Sequence, residues 1–182
     1  CVAVPVTMLW FVGVCNAFNL IDNMDGMLPG VSVVAAVFVG LFAWATGRTE
    51  TALLSWIVAA AVLGFLPANL PPARIFMGDA GSMFLGFLLA GLAIGESWAG
   101  LTQLAFTILA PTLLLAVPIF NTTFVTVTRK LSGIPLSRGK ADHINYRLLA
   151  HGMSRGRTLL AVYVLSAASG MVGVMVVTST PL

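Results

Sequence analysis

Long apolar runs alternate with short polar segments along the whole of this chain. Six of the runs approach the length of about 20 residues that an α-helix needs to cross the hydrocarbon core of a bilayer. The pattern therefore predicts an all-α, polytopic membrane protein with about six transmembrane helices. The runs cover residues 2–18, 29–46, 51–66, 81–95, 101–128 and 158–178.

The fifth run is the longest, and it contains two prolines, Pro111 and Pro118. Proline lacks a backbone N–H and its ring clashes with the preceding helical turn, so it kinks or breaks a helix. In a membrane, the carbonyl groups that such a break frees need partners on neighbouring helices. We therefore expect the penultimate helix to be kinked or broken.

Composition supports the membrane assignment. The chain is 59% hydrophobic and 8% charged, and its mean hydropathy is +1.01. So few charges cannot cover a water-exposed surface, which excludes a soluble enzyme, a disordered tail and a secreted disulfide scaffold. We expect residues 1–182 to form a single transmembrane domain. Because the chain starts with Cys1 in an apolar stretch, we also expect it to be the C-terminal part of a longer protein whose N-terminal spans are missing.

The charges predict the topology. Alternating the loops across the membrane puts residues 19–28, 67–80 and 129–157 on one side, together with all the Lys and Arg residues except Arg48. By the positive-inside rule that side is cytoplasmic. Carboxylates beside a cationic loop suit the joint binding of a metal and phosphates. The same side holds four of the six acids, Asp22, Asp25, Asp79 and Asp142.

The first polar motif is residues 19–26, in which Asn19, Asp22 and Asp25 recur every three residues. These side chains share one face if the first helix continues, and Asp25-Gly26 offers the turn that ends it. A polar helix end at the lipid headgroups is the alternative. A carboxylate drawn partway into the bilayer costs up to roughly 2.5 to 3.5 kcal/mol, however. Two carboxylates at one helix end therefore favour a bound cation.

The second motif is residues 67–82, a loop rich in Pro and Gly that leads directly into the fourth run. Proline fixes the backbone and glycine permits a close approach, so the sequence predicts a preformed loop. Asp79 precedes the helix, and an N-cap is its alternative role. Phe76 could likewise be an aromatic anchor at the membrane interface.

The third motif lies in the loop 129–157, which contains both histidines, His143 and His151. A solvated basic loop that fixes topology and touches anionic lipid is the alternative for most of its cations. His143 and Arg147 are neighbours on one face if the segment is helical. The planar guanidinium group suits a pyrophosphate because it binds two oxygens at once.

Taken together, the three motifs resemble those of the polyprenyl-phosphate N-acetylhexosamine-1-phosphate transferases, the WecA, TagO and MraY type of glycosyltransferase family 4. The family's NxxDxxDG matches residues 19–26, its PAxxFMGDxGS matches residues 72–82, and its HxHHRL matches residues 143–148. Asn145 and Tyr146 stand where the third family motif has histidines, so the roles of those two histidines do not carry over. The resemblance covers nearly the whole chain and corresponds to the C-terminal half of the family's spans.

The resemblance implies a Mg²⁺-dependent reaction, with Mn²⁺ as the alternative metal. An oxygen of a polyprenyl phosphate attacks the β-phosphorus of a UDP-N-acetylhexosamine and releases UMP, as the first membrane step of cell-envelope glycan synthesis. The implied partners are these two substrates and membrane lipid, with no nucleic acid, and a homodimer is a possible assembly. The implied location is the bacterial plasma membrane, with the active site on the cytoplasmic face.

The resemblance also implies roles for individual residues. Asn19 and Asp79 would bind Mg²⁺, and we predict that these two residues approach each other. Asp22 and Asp79 would be the catalytic residues. The uracil would be held by Asp25 and Phe76, and the pyrophosphate by His143 and Arg147. The full set of implied substrate-binding residues is Asp25, Asn69, Phe76, Gly78, His143 and Arg147.

Two alternatives stay open at this point. A membrane transporter would also carry ionisable residues and broken helices, but it predicts acids near the middle of its spans. An inactive, truncated member of the family would carry the same motifs without the activity.

Overall fold

The computed structural model describes residues 3–94, 104–133, 135 and 143–178, and its regular secondary structure within these residues is entirely α-helical. Asp142, which the topology places with the other acids, lies outside the described residues. The helices are α1 (Ala3–Ile21), α2 (Met27–Ala45), α3 (Thr49–Asn69), α4 (Gly78–Ile94), α5 (Leu104–Leu114), α6 (Ala116–Leu131), α7 (Ile144–Ala150) and α8 (Arg155–Thr178).

The six predicted runs are helical over their described residues except at Thr46 and Leu115, which lie in turns. Four helices, α1, α2, α3 and α8, are long and apolar enough to cross a membrane, and α5 with α6 makes a fifth span if the bent pair counts as one. Helix α4 is apolar but has only 17 residues. The described residues thus agree with the predicted count of about six, and the chain is a membrane protein.

The penultimate span is broken, as its prolines predict. Helices α5 and α6 meet at Leu115 with a bend of 87°. Pro111 lies inside α5, whereas Pro118 lies in the first turn of α6. Because Pro118 has no N–H for the carbonyl of Leu114 and its ring crowds that carbonyl, the helix cannot continue straight through this point.

Helix α2 is the centre of the bundle. Of its membrane-length segment, 72% is buried inside the protein, compared with 22% for α1. Small residues make this possible, because they let neighbouring helices approach closely. At Gly40, for example, an added Cβ would lie 2.2 Å from the indole nitrogen of Trp56 on α3. The side chain of Trp56 therefore occupies the space that a larger residue on α2 would fill.

Helices α2 and α8 run in the same direction. The ring of Tyr163 packs on Gly30 near the start of both helices, and the ring of Phe38 packs on Gly170 further along them. Both helices therefore begin at the same end of the bundle. Helix α1 packs on α4 at Gly86, where a Cβ would lie 2.8 Å from the Cα of Cys15. This packing brings the end of α1 next to the start of α4.

Candidate active site

The first motif forms a tight turn, residues 22–26, which we call the first-motif turn. Helix α1 ends at Ile21, and the N–H of Asn23 donates to the carbonyl of Ile21 at 2.9 Å. Gly26, with φ of 80°, is the N-cap of α2. The helix therefore does not continue through the motif. Asp22 and Asp25 lie in the turn rather than on a shared helical face.

The first and second motifs meet through Asn19 and Asp79, which are 60 residues apart in the sequence. Asn19 Nδ2 donates to Asp79 Oδ1 at 3.0 Å and to Ser82 Oγ at 3.0 Å. The predicted approach of Asn19 and Asp79 is thus confirmed. Asp79 lies within the first turn of α4 and not before it, so the N-cap alternative is wrong. Its negative charge is stabilised there by the N-terminal end of the helix dipole.

Asp22 lies near a second negative charge. Burial of its half-buried carboxyl raises the pKa of Asp22, and the charge of Asp79 raises it further. Both effects disfavour the ionised form of Asp22. The two carboxylates therefore form a local concentration of negative charge that a cation or a proton would stabilise.

The second-motif loop, residues 70–77, is tied to the first-motif turn. Asn69 is only 3% exposed. Its Oδ1 accepts a hydrogen bond from the N–H of Gly26 at 2.9 Å, and its Nδ2 donates to the carbonyl of Ile75 at 2.7 Å. The N–H of Ala73 donates to Asp25 Oδ2 at 3.2 Å. Asn69 thus fixes the backbone of both motifs, and its predicted contact with substrate stays a prediction.

Phe76 and Gly78 occupy the end of the second-motif loop. The side chain of Phe76 is 71% exposed. Gly78 begins α4 with φ of 65°, a conformation that favours glycine. An exposed ring near Asp79 is compatible both with stacking on a base and with an interfacial anchor, so both interpretations of Phe76 remain.

The third motif forms the short helix α7, with His143 as its N-cap. The N–H of Arg147 donates to the carbonyl of His143 at 3.2 Å, so the two residues are one helical turn apart, as the spacing predicts. His143 Nδ1 lies 3.2 Å from Asn121 Nδ2 on α6. The guanidinium carbon of Arg147 lies 4.7 Å from the ring centroid of Phe124, also on α6. His143 and Arg147 therefore both contact α6, the helix that follows the break.

Helix α7 also contacts the first-motif turn, at Asn23. Asn145 Nδ2 donates to Asn23 Oδ1 at 2.7 Å, and the hydroxyl of Tyr146 donates to the carbonyl of Asn23 at 2.8 Å. The three motifs thus meet at one end of the bundle. No sequence pattern described above predicts these contacts, nor that of Asn121 with His143. A lone amide inside an apolar run, as at Asn121, is the signal that could have revealed a polar partner.

The polar side chains of the site carry oxygen atoms that can bind a metal, and Asn19 turns its NH₂ group toward Asp79 and Ser82. The described residues hold no group of three or more His, Cys, Asp or Glu side chains that could form a metal cage. They do bring together the carboxylate of Asp79, the amide of Asn19 and the hydroxyl of Ser82, with Asp22 electrostatically coupled to Asp79. Mg²⁺ in phosphate-handling sites takes one or two carboxylates and completes its shell with water and phosphate oxygens. These residues fit such an ion.

The acids of the described residues all lie at helix ends or in turns. Asp22, Asp25 and Asp79 lie at the end of the bundle where the motifs meet, and Glu50 lies in the first turn of α3. The fold and the site thus define a polytopic membrane protein with a carboxylate-rich polar site at one end of a helical bundle. Residues 1–97 match the model of Glycosyl transferase family 4. The chain belongs to this family.

Curated relatives share the similarity along most of the chain. A protein of Bacillus subtilis named as a probable undecaprenyl-phosphate N-acetylglucosaminyl 1-phosphate transferase is 41% identical over 163 residues, covering 90% of this chain and 45% of the relative. A decaprenyl-phosphate N-acetylglucosaminephosphotransferase of Mycolicibacterium smegmatis is 34% identical, over 88% and 44% of the two chains. A phospho-N-acetylmuramoyl-pentapeptide-transferase of Staphylococcus saprophyticus is 32% identical, over 93% and 50%. The chain spans about half the length of these relatives.

Proposed function

We propose that the protein transfers N-acetylhexosamine 1-phosphate from a UDP-sugar to a polyprenyl phosphate. In this reaction an oxygen of the lipid phosphate forms a bond to the β-phosphorus of the UDP-sugar. The bond from that phosphorus to the bridging oxygen breaks, and UMP leaves. The products are a polyprenyl-diphosphate sugar and UMP, and the reaction would begin the membrane stage of cell-envelope glycan synthesis.

The observation that carries this proposal is the contact of Asn19 with Asp79 at 3.0 Å. It joins two motifs that are far apart in the sequence and leaves Asp22 within electrostatic reach of Asp79. Two substrates that both carry phosphate repel each other, so a transferase must neutralise charge where they meet. A carboxylate pair that favours a cation, with an Arg and a His on the neighbouring motif, meets this requirement.

Asn19 and Asp79 would hold the metal, Mg²⁺ or Mn²⁺, by their side-chain oxygens. When bound, the ion would supply positive charge that offsets the charge of the phosphates. Asp22 would line the reaction centre, where burial and the charge of Asp79 raise the pKa of its carboxyl. Arg147 would bind two phosphate oxygens with its planar guanidinium group, and His143 would contact the same pyrophosphate from the start of α7.

The remaining substrate contacts concern the nucleotide and sugar. Asp25 and the exposed ring of Phe76 would hold the uracil by hydrogen bonding and stacking, with Gly78 leaving the approach open. Asn69 would support substrate binding by fixing the backbone at Gly26 and Ile75. The names of the relatives favour N-acetylglucosamine or N-acetylmuramoyl-pentapeptide as the transferred sugar.

We further propose that the site faces the cytoplasm of a bacterial cell, at the plasma membrane. Lys and Arg residues near the ends of membrane spans are retained on the cytoplasmic side. In the described residues, Arg48 follows the opposite end of α2, whereas most cations accompany the site. The cations on the side of the site are Arg74, Arg129, Lys130, Arg147, Arg155 and Arg157.

The test is an assay of UMP release by the full-length protein in membranes or detergent, with polyprenyl phosphate and either UDP-N-acetylglucosamine or UDP-N-acetylmuramoyl-pentapeptide. We expect one of the two sugars to be turned over, with activity lost on chelation and restored by Mg²⁺ or Mn²⁺. Asp79→Asn should abolish turnover while the protein stays inserted and folded, because it removes an anionic ligand of a hard cation. Absence of turnover by the wild-type protein would overturn the function, and full activity of Asp79→Asn would overturn the metal role.

A further inference from the structure

In the described part of the chain, two hydrogen bonds from the third motif to the first-motif turn end on one residue, Asn23. Its side-chain oxygen accepts from Asn145, 122 residues away, and its carbonyl accepts from Tyr146, 123 residues away. We propose that Asn145 and Tyr146 are positioning residues that hold α7 against the first-motif turn and thereby set the place of His143 and Arg147. We call these contacts the Asn23 junction. This inference rests on the proposed transferase function, because it assigns the junction a role in binding the nucleotide sugar.

The hydrogen-bond pattern fixes the orientation of both amides. Asn23 Nδ2 donates to the carbonyl of Leu20 at 2.9 Å, and a carbonyl can only accept. The oxygen of Asn23 must therefore face Asn145, and Asn145 must present its NH₂ group. Asn145 is only 3% exposed, so its amide would be left buried and unsatisfied without this partner. The junction is thus a matched set of donors and acceptors.

Helix α7 depends on such contacts for its position. It has seven residues, too few for a helix to be stable by itself. Asn121 on α6 holds its start, through the N–H of Ile144 at 3.4 Å and the ring of His143 at 3.2 Å. The Asn23 junction holds the next two residues to the turn that carries Asp22 and Asp25. Loss of the junction would leave α7 its contacts with α6 and α8 but remove its hydrogen bonds to the turn that carries these aspartates.

The chemistry of the two side chains separates positioning from catalysis. Asn145 and Tyr146 occupy the positions at which the family motif HxHHRL has histidines, and here an amide and a phenol donate to Asn23 instead. An amide and a phenol can each donate a hydrogen bond, which is what both do here. On the proposed function, phosphate binding by the third motif would therefore fall to His143 and Arg147, while Asn145 and Tyr146 connect the motif to the turn.

The test uses the full-length protein and the variants Asn23→Ala, Asn145→Ala and the double variant. UMP release is measured against the nucleotide sugar and against polyprenyl phosphate in separate titrations. Each single substitution should raise KM for the nucleotide sugar about tenfold, as expected for one lost hydrogen bond. KM for polyprenyl phosphate should stay within about twofold. The double variant should have a KM for the nucleotide sugar no higher than that of the more affected single variant, because both substitutions remove the same hydrogen bond.

Tyr146→Phe keeps the ring and removes only the hydroxyl, so it tests the junction even if an alanine variant fails to fold. It should raise the same KM about threefold. Thr46→Ala, which removes a hydrogen-bonding side chain at the opposite end of α2, is the control and should leave both KM values unchanged. Unchanged KM values with a lower Vmax, or fully additive effects of the two alanine substitutions, would overturn the inference.

Thermal unfolding distinguishes this inference from the proposed function. The decreases in Tm caused by Asn23→Ala and Asn145→Ala should also be non-additive, whatever the reaction is. Non-additive Tm changes in a protein that releases no UMP would retain the junction and overturn the function. Wild-type release of UMP with additive Tm changes and unchanged KM values would retain the function and overturn the junction.

Discussion

Two turns reverse the chain at opposite ends of α2, and they are built differently. The turn at residues 46–48 follows α2 and contains Gly47 with φ of 76°. The side chain of Thr46 bonds locally, since its Oγ lies 3.0 Å from each of the carbonyls of Phe42 and Ala43. Nothing lies within 4 Å of a Cβ placed on Gly47. A glycine and a few local bonds are thus enough to connect two apolar helices.

The first-motif turn, at the other end of α2, contains Gly26 with φ of 80°. Here the bonds join residues that are far apart in the sequence. The N–H of Gly26 donates to Asn69, 43 residues away, and the carbonyl accepts from Tyr163, 137 residues away. A chain reversal does not require these bonds. We infer that they hold the site in place, and the following substitutions compare the two turns.

The largest difference in the rate of UMP release should be between substitutions of acidic residues near the two ends of α2. We expect Asp22→Asn to lower the rate of UMP release about a thousandfold, or ~4 kcal/mol, because a charge at the reaction centre is lost. Glu50→Gln, in the first turn of α3 beyond the opposite turn, should leave the rate unchanged. Steady-state assays of the two purified variants measure the difference. Similar rates for both would remove Asp22 from the reaction centre.

The carboxylate of Asp22, which we expect to promote the reaction, should lower the stability of the folded protein. Because burial and Asp79 raise the pKa of Asp22, its ionised form destabilises the folded protein. The stabilising effect of the bound proton is complete below the ordinary pKa of an aspartate and is lost as the pH rises through the raised pKa. Without added metal, Tm should therefore decrease over this range in the wild type and less so in Asp22→Asn. Identical pH profiles of Tm would contradict this.

The next largest effect should come from side chains that bond to the main chain. Asn69→Ala would leave the buried N–H of Gly26 and the partly buried carbonyl of Ile75 without their partner. We expect a loss of about 2 to 3 kcal/mol in the free energy of unfolding. Thr46→Ala, whose side chain also bonds twice to the main chain, should cost below about 1 kcal/mol because water can replace it. Denaturant titration in detergent compares the two variants.

Alanine at the two glycines gives a closely matched pair. Both positions require positive φ, so each substitution should cost about 1 kcal/mol for the backbone alone. At Gly26 the new Cβ would also lie 3.1 Å from a methyl carbon of Leu70 and 3.3 Å from one of Leu159. We therefore expect Gly26→Ala to lower Tm further than Gly47→Ala. Equal decreases would mean that the packing around the first-motif turn adjusts freely.

The smallest effect should be that of exchanging one cation for another. Arg147→Lys keeps the charge but loses the planar group that binds two oxygens, and we expect about a fivefold rise in KM for the nucleotide sugar. Arg155→Lys, in the exposed first turn of α8, should change it by less than about twofold. Both variants keep the loop charge and hence the topology. Equal values for the two would reduce the third motif to a basic loop beside the membrane.

Part of this arrangement follows from the sequence. Hydropathy predicts the spans, and charge alternation places the three motifs on one side, so the approach of Asn19 to Asp79 could be predicted. The break in the penultimate span follows from Pro118, since a ring in the first turn of α6 prevents the helix from passing through Leu115. These features depend on hydropathy, charge and the proline ring, which are properties of the individual residues and do not depend on their partners in the fold.

Other features depend on pairing, which hydropathy does not determine. A polar residue every third position is compatible with a helix or a turn, so the end of α1 at Ile21 could not be predicted from the spacing. The partners of Asn23 lie on a helix more than 120 residues away, and any amide in the three loops could have filled that role. The roles of metal ligand, catalytic acid and substrate contact remain predictions for each residue named above.

The hydrogen bond from Tyr163 to the carbonyl of Gly26 has a consequence for biosynthesis. A membrane protein is inserted from its N-terminus as the ribosome delivers successive spans. Gly26 is made before its partner Tyr163, which lies 137 residues later in α8. The first-motif turn therefore lacks this hydrogen bond until α8 has been inserted beside α2. The three motifs therefore reach the arrangement described above only after α8 has been inserted.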